Sequence, residues 1–203
     1  MIALIDYGAG NLTSVKKALT SLGTDFAVPT APDQCLAASG IIVPGVGHFA
    51  ATGSLDEPWR EAVGQAVRAG TPLLGICLGM QWLYQGSEEE PDVPGLGALA
   101  GRCQLLKGDS ARRLKIPHVG WNALEMPRAS RLLAGLDSGA YVYFTHSFAA
   151  PVTDDCVGAT THAERFAAAV ERGNVFGVQF HPEKSGDAGL RILRNFLESC
   201  RSC

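Results

Sequence analysis

Short apolar runs alternate with amphipathic stretches from the first residue of the chain, and glycine-rich turns separate them. Met1–Asp6 reads as a short strand, and Tyr7-Gly8-Ala9-Gly10 as the turn that follows it. Asn11 is placed to cap a helix running to about Leu22. Within it Leu12, Val15, Leu19 and Leu22 recur at spacings of three and four, an apolar stripe suited to a sheet face. Gly23 stops that helix, and Asp25–Val28 returns as a strand. Gly40–Pro44 is the next strand, Glu57 to about Ala69 a helix, and Thr71–Leu74 a further strand leading into a helix that opens with Met80–Tyr84. This alternation predicts an α/β fold, with a mostly parallel central sheet and flanking helices.

Beyond residue 86 the pattern changes. Gly86–Pro94, with Glu88, Glu89, Glu90 and two prolines, reads as a solvated loop. Gly97–Leu106, Lys115–Glu125 and the aromatic run Tyr141–His146 read as strands. Phe166–Glu171 and Val175–Gln179 flank Arg172-Gly173-Asn174, a hairpin signal. A last helix from about Ala188 to Ser199 carries Leu190, Leu193 and Leu197 on one face. Consecutive strands without intervening helices predict an antiparallel extension of the main sheet, so residues 1–203 are expected to form a single domain.

Composition narrows the function classes. At 203 residues the chain is long enough for one sizeable core and short for two. A net charge of −3 offers no basic surface for nucleic acid or an anionic membrane. No apolar run approaches the ~20 residues needed to cross a bilayer, and the N-terminus reads as a strand and not a leader. Six scattered cysteines suit reduced thiols, which implies a cytoplasmic protein. Cys200 and Cys203 have the C-x-x-C spacing but no companion pair, so the tail reads as incidental, and neither a metal nor a cofactor is expected.

Two stretches carry candidate chemistry. In Gly75–Gln81 a cysteine sits between two glycines where a strand passes into a helix. That is the pattern of a nucleophile elbow, in which the glycines allow a tight turn and the helix start favours thiolate. A buried structural cysteine fits the same heptapeptide. In Gly177–Ser185 a strand ends in His181, and Glu183 follows with Pro182 fixing the backbone between them. A cysteine nucleophile needs a base, and the base needs an acid to hold its tautomer, which Cys77, His181 and Glu183 can supply. Both stretches lie at C-terminal strand ends, where open α/β sheets place their sites. His146 is a second strand-end histidine without a neighbouring acid, and His48, His118 and His162 fall in or near turns. Gly45-Val46-Gly47, after the Gly40–Pro44 strand, suits either an oxyanion loop or an ordinary turn. Gly8-Ala9-Gly10 lacks the third glycine of a dinucleotide fingerprint, Thr13 standing in its place.

Gly75–Gln81 together with His181-Pro182-Glu183 resembles the two signatures of the class I glutamine amidotransferases, enzymes of flavodoxin-like fold. The resemblance runs from residue 5 to residue 185. Ile5–Leu12, Pro44–Gly47, Ile116–Asn122 and His181–Ser185 are similar to the branch that works with a (β/α)8-barrel cyclase. It implies a Cys77–His181–Glu183 triad that hydrolyses glutamine, with oxyanion donors at Leu78 and at Val46 or Gly47. It also implies substrate contacts at Gln81, Ser147 and Phe148, and a partner-facing set of Asn11, Trp121, Asn122, Tyr143 and Lys184. Phe148 stands where the family usually has tyrosine, at a place that holds glutamine mainly by its backbone.

Overall fold

The computed structural model describes residues 1–111 and 113–201. In chain order the elements are β1 (Ile2–Leu4), α1 (Leu12–Ser21), β2 (Phe26–Ala27), β3 (Gly40–Val43), α2 (Glu57–Arg68), β4 (Leu73–Ile76) and α3 (Leu78–Trp82). These are followed by β5 (Gly86–Ser87), β6 (Glu90–Pro94), β7 (Gln104–Leu105), β8 (His118–Ala123), β9 (Tyr141–His146) and β10 (Phe148–Ala149). The last are β11 (Cys156–His162), β12 (Glu164–Arg172), β13 (Val175–Val178) and α4 (Gly186–Ser199).

A seven-stranded sheet in the order β11-β12-β13-β4-β3-β1-β2 forms the centre. The strands from β13 to β2 run parallel, while β12 pairs antiparallel with both β13 and β11. Parallel strands are short and apolar throughout because both faces are covered. Ile2, Leu4, Ile42, Leu74 and Ile76 face α1 and α4, whose Val15, Leu19, Ile192, Leu193 and Phe196 complete one core. Ala3, Ile5, Ile41, Val43 and Leu73 face the other way, against Val63 and Ala66 of α2 and Met80 of α3. The α1 stripe therefore packs as its spacing predicts, and the Asn11 side chain accepts a hydrogen bond from the Ser14 amide at 3.3 Å as its N-cap.

Register positions the site. Gly75 of β4 lies level with Val43 of β3, and Ile76 with Val178 of β13. The three chain segments that leave these strands therefore emerge side by side: Pro44–Gly47, Cys77 and Gln179–His181. Among the described residues no helix is long and apolar enough to cross a membrane.

Several expectations need correction. Gly86–Pro94 is not a loop but the antiparallel pair β5–β6, and Glu89 turns inward to accept a hydrogen bond from the Phe49 amide at 2.8 Å. A carboxylate that caps a backbone donor has left water for a specific partner, which an acidic run conceals. Of Gly97–Leu106 only β7 is extended, and it pairs with β10. The antiparallel extension of the main sheet is β11–β12, with Gly173 and Asn174 at the β12–β13 turn, where Gly173 takes φ +58°. The pair β8–β9 instead forms a separate two-stranded sheet. The helix after Cys77 runs only from Leu78 to Trp82, so Met80–Tyr84 is not the opening of a longer helix but spans its end. Cys200 is buried at the end of α4, whereas Cys203 lies outside the described residues.

The elbow depends on Gly79. A Cβ there would overlap the Val43 carbonyl, because α3 crosses directly over the end of β3. Gly79→Ala is expected to destabilise the protein by about 2–4 kcal/mol, read as a drop in urea midpoint with unchanged slope. Stability within about 0.5 kcal/mol of the parent would mean that the crossing is loose.

Candidate active site

Cys77 connects β4 to α3 with φ +53° and ψ −109°, a conformation unusual for a residue with a side chain. Its amide donates to the Val178 carbonyl at 2.7 Å, which ties the strained residue to the adjacent strand end. The thiol lines a cavity of about 300 Å³ together with Val46, Gly47, Gln81, Thr145 and Phe148. Gly47 has φ +111° and Val46 is exposed, so the Pro44–Gly47 segment forms an open wall of this cavity. A Cβ on Gly45 would run into the Tyr7 hydroxyl and the Leu78 side chain, and one on Gly10 would lie 3.2 Å from Gly45 Cα. The Tyr7–Gly10 turn is thus the backing of that wall.

His181 follows β13, its amide donating to the Tyr143 carbonyl at 2.9 Å. Its Nδ1 is 2.8 Å from Glu183 Oε1, and the two side chains are only 2% and 1% exposed. A carboxylate against Nδ1 fixes the proton on that nitrogen. Nε2 is buried and has no other hydrogen-bond partner among the described residues. Burial pulls the His181 pKa down, but interaction with Cys77 and Glu183 outweighs it and raises the pKa to about 10. The predicted trio therefore meets in one place, as a thiol, an imidazole and a carboxylate in series.

Buried amides line the floor. Gln81 Nε2 donates to the Phe148 carbonyl at 2.9 Å and lies 3.2 Å from Gln179 Oε1, while Gln179 Nε2 is 3.7 Å from Cys77 Sγ. Leu106 donates to the Ser147 carbonyl at 2.9 Å, so the Phe148–Leu105 pair is the non-hydrogen-bonded kind. Phe148 accordingly turns its own N–H and C=O away from β7. His146, the other strand-end histidine, has both ring nitrogens engaged, Nδ1 with the Phe148 carbonyl at 3.0 Å and Nε2 with His118 Nδ1 at 3.1 Å. It has no nitrogen left to serve as a base.

The partner-facing set divides. In β8–β9 Trp121 pairs with Tyr143, their rings 6.0 Å apart edge to face, and Lys184 Nζ lies 5.8 Å from the Tyr143 ring centre. Val119 at 58%, Trp121 at 55% and Tyr141 at 61% make this face exposed and apolar. Asn122 points to the opposite side, donating to the Thr161 carbonyl at 3.1 Å. Strand alternation explains this, since residues 121 and 122 cannot share a face. Gln179, Glu89 and Tyr7 were not singled out from sequence, and neither was the meeting of His118 and His162 with the strand-end His146. Gln179 left one signal, an amide in the apolar run Val178-Gln179-Phe180.

The raised His181 pKa has a definite sign. A histidine whose folded pKa exceeds the unfolded value contributes stability that is complete below about pH 6.5 and lost as pH rises toward 10. Cys77→Ser is expected to lower the His181 pKa, measured by NMR titration of the ring carbons. No change would mean that Cys77 and His181 are not coupled.

Comparison with known proteins gives three results. The family profile described as glutamine amidotransferase class-I matches residues 3–200. The imidazole glycerol phosphate synthase subunit HisH of Moorella thermoacetica is 45% identical over 98% of this chain and 95% of its own length. The protein of the same name from Natronomonas pharaonis is 46% identical over 98% and 94%. Among solved structures, a glutamine amidotransferase superposes with a TM-score of 0.76 at 21% identity, covering 98% of each chain. PurLQS from Thermotoga maritima gives 0.73 at 22%, covering 97% of each. At those identities the structures speak to the fold alone.

Proposed function

The chain belongs to the class-I glutamine amidotransferases, and on that premise we propose that it is the glutaminase subunit of an imidazole glycerol phosphate synthase, acting in histidine biosynthesis in the cytoplasm. The observation that carries the mechanism is the series formed by Cys77, which lines the cavity, His181, which interacts with it, and Glu183, 2.8 Å from the far side of the His181 ring. Cys77 gives its thiol proton to His181 Nε2, and Sγ attacks the glutamine carboxamide carbon. As the tetrahedral intermediate collapses, His181 gives its Nε2 proton to the leaving nitrogen, the C–N bond breaks, and ammonia leaves a glutamyl thioester. His181 then takes a proton from water, whose oxygen attacks the thioester carbon, and glutamate departs as the C–S bond breaks. Glu183 stays ionised and orients the ring throughout.

The backbone amides of Leu78 and of Val46 or Gly47 stabilise the oxyanion. Removal of one such donor typically costs about 10²–10³ in rate, so the setting of the Pro44–Gly47 wall governs turnover. Gln81 and the Ser147–Phe148 backbone hold the amino-acid end of glutamine. The Phe148 carbonyl is already occupied by Gln81 and His146, which leaves its N–H for the substrate carboxylate.

The partner in this reading is the (β/α)8-barrel cyclase subunit, forming a heterodimer over Asn11, Trp121, Tyr143 and Lys184, with Asn122 beneath. It receives ammonia and makes imidazole glycerol phosphate and aminoimidazole carboxamide ribotide. Exposed aromatic side chains are the surface type that such an interface enriches. Ammonia must stay unprotonated to react, and a dry route from Cys77 to the acceptor keeps it so.

A glutamine-shaped alkylator is expected to label Cys77, and labelling of another cysteine with Cys77 untouched would overturn the assignment. Turnover should fall about 10²–10⁴-fold in His181→Ala, and less in Glu183→Gln with folding intact. The isolated chain should be slow, and addition of the cyclase subunit with its nucleotide ligand should raise glutaminase turnover. Full activity without the partner would refute the coupling.

A further inference from the structure

Beneath the exposed face of β8–β9 lies a set of buried histidines that the mechanism above does not use. His118 is sandwiched between Phe144, with ring centres 4.7 Å apart and planes 24° off parallel, and His162, at 4.2 Å and 20°. The ring cannot swing out of that stack without breaking both contacts. In its plane, Nδ1 meets His146 Nε2 at 3.1 Å and Nε2 lies 3.4 Å from Asn122 Nδ2.

The donor directions follow from one end. His146 Nδ1 is 3.0 Å from the Phe148 carbonyl oxygen, which can only accept, so Nδ1 carries the proton. In a neutral ring Nε2 is then an acceptor, and His118 Nδ1–H must donate to it. His118 Nε2 is in turn an acceptor for Asn122 Nδ2–H. The Asn122 amide is itself set, because its Oδ1 accepts from the Ala123 amide at 2.9 Å and Nδ2 donates to the Thr161 carbonyl. Both histidines must stay neutral for this order to hold. Burial lowers the His118 pKa to about 4, helped by His162, and lowers the His146 pKa to about 3 despite the Phe148 bond, with the His181 charge acting in the same direction.

We propose that His118 and His146 are positioning residues, forming a one-way hydrogen-bond chain from Asn122 under the exposed face of β8 to the Phe148 carbonyl at the substrate cavity. The chain ends on the oxygen that also receives Gln81 Nε2. It thereby sets the angle of the Phe148 peptide and of the Gln81 amide, two groups that face the amino-acid end of glutamine. The inference rests on the glutaminase reading for what the cavity binds, whereas the chain itself is independent of that reading. A partner seated on Trp121 would bear on the strand that carries Asn122.

The test has two arms on the full-length chain. Histidine ¹⁵N shifts at pH 7 should show His118 and His146 both neutral and both protonated on Nδ1. An Nε2-protonated or charged ring at either position would overturn the chain. In the second arm, Cys77 labelling by a glutamine-shaped alkylator is compared with labelling by iodoacetamide. His118→Leu should slow the first about tenfold through a weaker half-saturation, leave the second within about twofold, and be largely restored in His118→Asn, which keeps a donor near Nδ1. Equal slowing of both reagents, or no slowing of either, would refute positioning. If iodoacetamide labels the parent and the glutamine-shaped reagent does not, the glutaminase reading fails, and the ¹⁵N arm still decides the chain.

Discussion

The left-handed backbone of Cys77 is the constraint on which the site depends. A side chain at φ +53° is held there only because its surroundings allow little else. Its amide is tied to the β13 end through Val178, and α3 is pressed over β3 so closely that position 79 has no room for a Cβ. The same clamp aligns the Pro44–Gly47 wall, the thiol and His181, because β3, β4 and β13 are neighbours in parallel register. Cys77 and His181 come together at this point because neighbouring parallel strands end side by side there.

Around the thiol the structure maintains a sharp division of charge states. His181 is held protonated well above its ordinary range by Cys77 and Glu183, while His146, near it, is kept neutral by burial. Two charged imidazoles so close would repel in a water-poor site. The two neighbouring rings are thus held in opposite protonation states. Gln179 and Gln81 complete the floor with amides, which supply hydrogen bonds without adding a net charge.

The β8–β9 hairpin divides two tasks between its faces. Val119, Trp121 and Tyr141 leave an apolar surface outside, and His118, Asn122 and His146 build a polar chain inside. Period-two alternation makes the two faces inseparable, since a shift of register would exchange them. The exposed apolar face and the polar chain that ends at the cavity are in this way carried by the same two strands.

The fold class was legible in the sequence because apolar runs and stripes report local period, and local period decides strand or helix. The elbow at Cys77 and the pair His181–Glu183 were legible because each lies within a few residues and depends on turn geometry. Gln179, Glu89, Tyr7 and the histidine chain were not. Their meaning comes from partners far along the chain: Gln179 from Cys77, Glu89 from Phe49, His118 from His146, and Tyr7 from Gly45. Acidity made Gly86–Pro94 look solvated until the fold supplied a buried donor for one of its carboxylates. The sequence by itself determined the alternation of elements and the residue types of the triad. Only the tertiary structure decided which buried polar groups would meet, because hydrogen-bond partners are set by strand order and register, which no local pattern encodes.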